Sequence, residues 1–246
     1  MDDDLLGRTE RQARAGARIV FWAEENAPVL KQDEAALISG AGEVALRNGI
    51  YIGMALESWD PAQPKPLENK LVLVKPDGQV AWQYVKSHPT PGPEADVSSE
   101  RGSRLRSLAT PYGVLSAMIC YDADFPPLAA QAGRLGADIV LDPASDWRAI
   151  DPWHTQMASF RAIEQGFNLV RQTKFGLSAA YDYQGRRLAA MDEFEAKDFV
   201  LVAEVPTRGV RTIYSRLGDW LAWLCIAGLL VLMAYTWRKQ RVAANG

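Results

Sequence analysis

From Trp220 to Trp237 the chain reads WLAWLCIAGLLVLMAYTW, eighteen consecutive residues without a charge. As a helix rising about 1.5 Å per residue, that run is roughly 27 Å long, against a bilayer hydrocarbon core of about 30 Å. Its apolar residues surround the whole cylinder and form no single stripe, which leaves two fates: a membrane span or a helix buried in a core. Trp220 and Trp223 at one end, and Tyr235 and Trp237 at the other, suit the two interfaces, and Arg238, Lys239 and Arg241 follow at once. A transmembrane helix over 219–237 with a basic tail over 238–246 is therefore expected, and Cys225 inside it is read as packing. The opening MDDDLLGRTERQARAG is polar, with no apolar signal-peptide core.

The remainder has a globular composition. The 246 residues are 48% hydrophobic and 23% charged, enough for one large core. A formal net charge of −3 supplies no basic surface of the kind nucleic acid demands, so no nucleic-acid partner is expected. With two cysteines in unlike surroundings, and His88 and His154 as the only imidazoles, the spacing indicates neither a disulfide scaffold nor a structural metal, and no cofactor is expected.

Helical and strand patterns alternate along the chain. Residues 5–15 have helical spacing closed by Gly16, and ARIVFW (17–22) reads as a strand. A helix over 33–48 stops at Gly49. LVLVKPDGQVAWQYV is a hairpin turning at Pro76-Asp77-Gly78. GVLSAMIC and ADIVLDPA are strands separated by a helix over 127–135. Asp151 and Pro152 read as the cap and first turn of a helix running to Gln165, with Gly166 closing it. FNLVRQT, GLSAAYDYQGRRLA and DFVLVAEV supply further strands. Mixed strands with helices between them predict an α/β domain of helix-covered sheets.

Chemistry gathers at three strand ends. MICYDADFP places Cys120 where a buried strand gives way to a turn, the position from which a thiol and the following N–H groups face a pocket. The same cysteine is equally readable as a small buried hydrophobe. A nucleophilic reading needs a base or a cation, and histidine is nearly absent. ARIVFWAEENAP ends on Glu24 and Glu25, and AWQYVKSHPTPGPE ends on Lys86 and then Glu94. A desolvated carboxylate can take a thiol proton, and a lysine can hold the charge of a tetrahedral intermediate.

FWAEENAP, YVKSHPTPGPE and ICYDADFP, in that order, resemble the nitrilase, or carbon–nitrogen hydrolase, superfamily. The resemblance runs from about Gly16 to about Pro206 and implies a nitrilase-like αββα sandwich over 17–210, followed by the one transmembrane helix. It also implies Glu24 as general base, Lys86 as oxyanion stabiliser and Cys120 as the residue that forms an acyl-enzyme. Glu24 is favoured over Glu25 because Pro28 then falls four residues beyond it, as in the family pattern. PASDWRAIDPWHTQMASFRAIEQGFNLVRQTKFGLSAAYDYQGR and TIYSRLGDWLAWLC are similar to the apolipoprotein N-acyltransferase branch. That likeness carries supporting roles to Glu94, Tyr121 and Asp122, the last shorter than the glutamate usual there. It leaves Trp147 and Trp153 as residues that line an acyl-chain path or pack as aromatic core.

The resemblance implies transfer of an acyl group from a phospholipid donor to a lipoprotein N-terminus, at a bacterial inner membrane with the catalytic domain on the periplasmic side. Two alternatives stand beside it: a membrane-anchored hydrolase of small amides, and an inactive interaction module. Residues 1–16 are expected to be the remnant of a longer N-terminal region, with upstream membrane helices on the same chain or a separate one.

Overall fold

The computed structural model describes residues 2–98, 102 and 104–244. Met1, Asn245 and Gly246, the outermost residues of the expected terminal segments, lie outside these. Helix α1 (Asp2–Arg14) is supported along its surface by Arg8–Asp4 and Arg14–Glu10 pairs, each at 2.9 Å. Two short strands follow, β1 (Ile19–Phe21) and β2 (Ala27–Leu30). After helix α2 (Glu34–Asn48), closed by Gly49 at φ 65°, comes β3 (Tyr51–Trp59). Both short strands pair in parallel with β3, one along each half: Ile19 opposes Tyr51 and Ala27 opposes Leu56. The break between them is the segment that carries Glu24.

The first sheet is completed by the antiparallel strands β4 (Leu67–Val74) and β5 (Val80–Val85), joined by the expected turn. Short helix α3 (Pro93–Val97) follows Lys86. The second sheet is built from β6 (Ser107–Thr110), β7 (Gly113–Ala117), β8 (Ile139–Ser145), β9 (Asn168–Lys174), β10 (Leu177–Tyr181) and β11 (Arg187–Asp192), in the spatial order β11-β10-β9-β8-β7-β6. Strands β7, β8 and β9 are parallel, and their crossovers carry a 3₁₀ turn (Cys120–Asp124), α4 (Pro126–Arg134) and α5 (Trp153–Gln165).

The sheets face each other. Leu71, Leu73 and Tyr84 of the first share a core with Leu115, Ile139, Leu141 and Leu169 of the second. On the outer side of the first sheet, Leu37, Ala41, Val44 and Ala45 of α2 cover Ile50, Ile52, Met54, Leu56, Val72 and Val74. Helices α4 and α5 cover the second sheet through Leu128, Ala129, Ala132, Ala158 and Ala162. The small alanines let the helices lie close to the strands. The result is the αββα sandwich expected from the sequence.

Three local expectations change. Asp151 does not cap α5, because its carboxylate instead accepts the N–H of Leu177 at 2.8 Å and ties the helix entry to β10. DFVLVAEV joins no sheet among the described residues, and Val202 is 69% exposed. An alternating pattern favours extended backbone, but a strand also needs a free partner edge. The short strands β2 and β6 were not anticipated, since four residues give too little periodicity to read.

Beyond the sandwich, α6 (Ile213–Leu217) leads to α7 (Trp220–Ala244), which runs without a break through the basic residues that follow the apolar run. The stretch Trp220–Gln240 has a mean hydropathy of 1.8 in its most apolar part, none of it buried against protein, and is long and apolar enough to cross a membrane.

Helix α2 meets the β4–β5 turn at glycines from both sides, and a Cβ on Gly42 would lie 2.7 Å from the carbonyl oxygen of Gly78. Gly42→Ala is therefore expected to destabilise the fold by about 1–3 kcal/mol despite the better helix propensity of alanine. Thermal unfolding of the detergent-solubilised chain, compared with the parent, checks this.

Candidate active site

The site is assembled at one end of the sandwich. Glu24 sits in the break between β1 and β2, only 3% exposed. Its Oε1 accepts from Lys86 Nζ at 2.8 Å and from Asn69 Nδ2 at 2.7 Å, and its Oε2 accepts the backbone N–H of Ser145 at 2.8 Å. Lys86, just past the end of β5, also donates to Glu94 Oε2 at 2.7 Å. Glu94 in turn accepts from the Thr90 N–H at 2.7 Å and from Asn69 Nδ2 at 2.9 Å. The neighbouring Glu25 turns outward, with φ 60°, and accepts from Ser145 Oγ at 2.8 Å.

Cys120 begins the 3₁₀ turn after β7. Its φ of 51° is in the left-handed region that non-glycine residues rarely enter, and its N–H donates to Asp142 Oδ1 at 2.9 Å. The thiol lies 3.6 Å from the carbonyl oxygen of Ser145, the residue whose N–H holds Glu24. Ser145 therefore links the cysteine and the glutamate.

Electrostatics follow from burial. Desolvation and the charge of Glu24 push the Cys120 thiol well up, while Lys86 and Arg171 pull it down. Burial opposes the charge on Lys86, but Glu24, the Cys120 thiolate and Glu94 outweigh it and raise its pKa. Burial likewise opposes the charge on Glu94, and Lys86 reverses that effect, holding its carboxyl below the usual range. A buried thiol beside a fixed cation and an acceptor carboxylate can lose its proton to that carboxylate as a bond forms at sulfur.

Beside Cys120 opens a cavity of about 490 Å³, lined by Pro91, Tyr121, Trp147, Ile150, Trp153 and Met157 together with Asp124 and His154. Trp147 and Trp153 are 51% and 69% exposed, so both stand at its mouth and neither packs in the core. Asp122 is turned away from the cavity and fully buried. It accepts from Tyr84 Oη at 2.8 Å, from the N–H groups of His88, Ser87 and Ile119 at 2.9, 3.1 and 3.2 Å, and contacts His88 Nδ1 at 3.0 Å. It braces the Lys86 loop against the cysteine turn.

Sequence patterns missed several groups. Asn69 and Ser145 bridge the acids, but a lone Asn in a strand and a Ser after one carry no signal. His154, remote in sequence, brings a ring nitrogen within 4.8 Å of the Cys120 sulfur and an Asp146 oxygen. Both ring nitrogens already face carboxylates and Arg171 donates into the same group, so this is an ion-pair network and not a cage for a cation. Glu57 on β3, directly opposite Asn69, is pushed up to about 7 by burial and by the charges of Glu25, Glu24 and Glu94.

An αββα sandwich that brings Glu, Lys and Cys together from separate strand ends defines a class, and the Carbon-nitrogen hydrolase family matches residues 9–214: the chain belongs to that family. Relatives within it include the apolipoprotein N-acyltransferase of Geobacter metallireducens, 28% identical over 97% of this chain and 50% of its own length. That of Bradyrhizobium diazoefficiens is 30% identical over 92% of this chain and 46% of its own. The chain thus spans about half the length of these relatives. Among solved structures, an amidase from Nesterenkonia sp. superposes with a TM-score of 0.71 at 19% identity, covering 87% of this chain and 85% of that one, which places the fold.

Asp122→Ala strips several buried donors of their acceptor, at about 1–3 kcal/mol for each group left unmet, so a loss of about 3 kcal/mol or more in chemical denaturation is expected. Glu57 gives the opposite sign. Its folded pKa of about 7 lies above the unfolded carboxyl value of about 4.3, so the folded state holds the extra proton and loses stability as pH rises between them. Glu57→Gln should therefore gain on the parent by about 3 °C or more in Tm on going from about pH 5 to about pH 8.

Proposed function

We propose that this chain carries the catalytic site of an acyltransferase that moves an acyl group from a phospholipid to the N-terminal amine of a lipoprotein, through a thioester on Cys120. The observation that carries the reading is the pairing of the Glu24–Lys86–Glu94 group with a cysteine that opens into a largely apolar cavity, where an acyl chain fits better than a small polar amide. The names of the relatives support the same choice, as does α7, whose stretch Trp220–Gln240 is long and apolar enough to span a membrane. Arg238 and Lys239 directly after the span favour a cytoplasmic C-terminus, which sets the sandwich on the outer side of the bacterial inner membrane.

In the first half-reaction Glu24 takes the thiol proton as Cys120 sulfur bonds to the ester carbonyl carbon. Lys86 and the N–H near Tyr121 hold the oxyanion. The carbon–oxygen bond of the ester then breaks, and Glu24 returns the proton to the departing lysophospholipid oxygen. In the second, the amine nitrogen bonds to the thioester carbonyl carbon as its proton passes to Glu24, the carbon–sulfur bond breaks, and Glu24 returns the proton to the sulfur, leaving the amide and the free thiol. Glu94 keeps Lys86 charged and fixed.

The test supplies the detergent-solubilised chain with labelled phospholipid and a diacylglyceryl-cysteine peptide. Lysophospholipid and N-acylated peptide should appear together, and Cys120→Ser should abolish both, whereas Cys225→Ala should leave them unchanged. Glu24→Gln should lower turnover about 10²-fold or more, and Glu25→Gln should have little effect. Ammonia released from small amides without lysophospholipid would establish the hydrolase reading instead.

A further inference from the structure

The mechanism above leaves five buried or half-buried charged groups behind Cys120 without a task. They form one chain of contacts. The N–H of Cys120 donates to Asp142 Oδ1 at 2.9 Å, and Asp142 is bound through its other oxygen by Arg171, its direct cross-strand partner on β9. Arg171 Nη2 donates to Asp146 Oδ1 at 3.2 Å. That same oxygen faces His154 Nδ1 at 2.6 Å, and His154 Nε2 faces Asp124 Oδ1 at 3.1 Å. Asp124 is the last residue of the 3₁₀ turn that Cys120 begins. The chain therefore leaves the turn at one end and returns to it at the other.

A left-handed non-glycine residue costs about 1–2 kcal/mol and persists only where its surroundings over-determine it. Cys120 is such a residue, and the loop of ion pairs ties its turn at both ends, beside the brace from Asp122. We propose that His154 is a positioning residue for Cys120, closing a clamp on the nucleophile's turn that is complete only when the imidazole is doubly protonated. Nε2 faces Asp124, and Nδ1 faces both Asp146 Oδ1 at 2.6 Å and the donor Arg171 Nη2 at 2.8 Å, so only the doubly protonated ring donates to both carboxylates, whereas a neutral ring turns Nδ1 to Arg171.

The groups facing His154 are Asp146 at the end of β8, Asp124 in the turn and Arg171 on β9, with the Cys120 sulfur within 4.8 Å. Burial and Arg171 oppose its charge, and the hydrogen bonds to Asp124 and Asp146 outweigh them, raising its pKa. The clamp is thus closed below that pKa. It opens at the Asp146 end as pH rises through it, because Arg171 Nη2, 2.8 Å from Nδ1, favours the lone pair there, which then meets the Asp146 carboxylate. This deepens the acyl-enzyme reading and rests on it for the kinetic readout only.

Two measurements test the clamp. The first is the pre-steady-state burst of nitrophenol from a p-nitrophenyl acyl ester, followed against pH. The parent should show an alkaline fall in burst rate. His154→Gln should be about tenfold slower near neutrality, with KM unchanged, and should lose that alkaline fall. Asp124→Ala, which removes the acceptor at the half-buried end of the chain, should do the same if the first variant folds poorly. A uniform slowing at every pH, with the alkaline fall kept, overturns the proposal.

The second is histidine ¹⁵N NMR on the inactive Cys120→Ser chain, which reads the clamp without chemistry. Both ring nitrogens of His154 should be protonated on the acid side of its titration, with a midpoint above that of an ordinary histidine and the Tyr121 and Asp124 amide signals moving at that same midpoint. A single protonated nitrogen, or amides indifferent to the titration, overturns the clamp while leaving the acyl-enzyme reading intact. A coupled titration in a chain whose parent shows no burst supports the clamp and overturns that reading instead.

Discussion

The arrangement depends on one buried cation. Lys86 is 2% exposed, and an ammonium taken out of water at that depth is unfavourable by several kcal/mol unless opposite charges surround it. Glu24 and Glu94 do so from two other segments, one from the break between β1 and β2 and one from α3. Each position is set by main-chain geometry: β1 and β2 share the edge of β3, and the Thr90 N–H fixes Glu94. The same ion pairs that stabilise the end of the first sheet therefore fix a charged lysine and the Glu24 carboxyl group beside the thiol.

The second sheet supplies the other half of the site by a different device. Strands β7, β8 and β9 lie parallel and buried, so their ends open at the same edge, where crossover turns deliver Cys120, Ser145 and Asp146. Ser145 joins the halves, holding Glu24 with its N–H and facing the thiol with its carbonyl. Asp122 makes a second joint between the cysteine turn and the Lys86 loop. Cys120, in a left-handed conformation, is thus braced from both sheets.

The apolar surface divides along similar lines. Inside the sandwich it is enclosed between the sheets and under the helices, whereas along α7 it has no protein against it. A helix apolar on every side is covered by another apolar medium or by a partner. The exposed Trp147 and Trp153 at the cavity mouth extend that apolar character to the edge of the site.

The elements were legible where local physics decides them: the Gly49 and Gly166 helix stops, the Pro76–Gly78 hairpin, and an apolar helix that admits few fates. Glu24, Lys86 and Cys120 were visible because each falls at a strand end within a recurring motif, and their order carried the family likeness. Tertiary structure decided what pairwise distance decides. It made Asp122 a brace, moved Asp151 from a helix cap to a partner of β10, and left DFVLVAEV without a sheet. It also set His154 beside a cysteine 34 positions away. A strand pattern states only that alternate residues share a face. Which face meets which neighbour, and which carboxylate a buried cation takes, follows from how two sheets stack, and no window along the chain contains both.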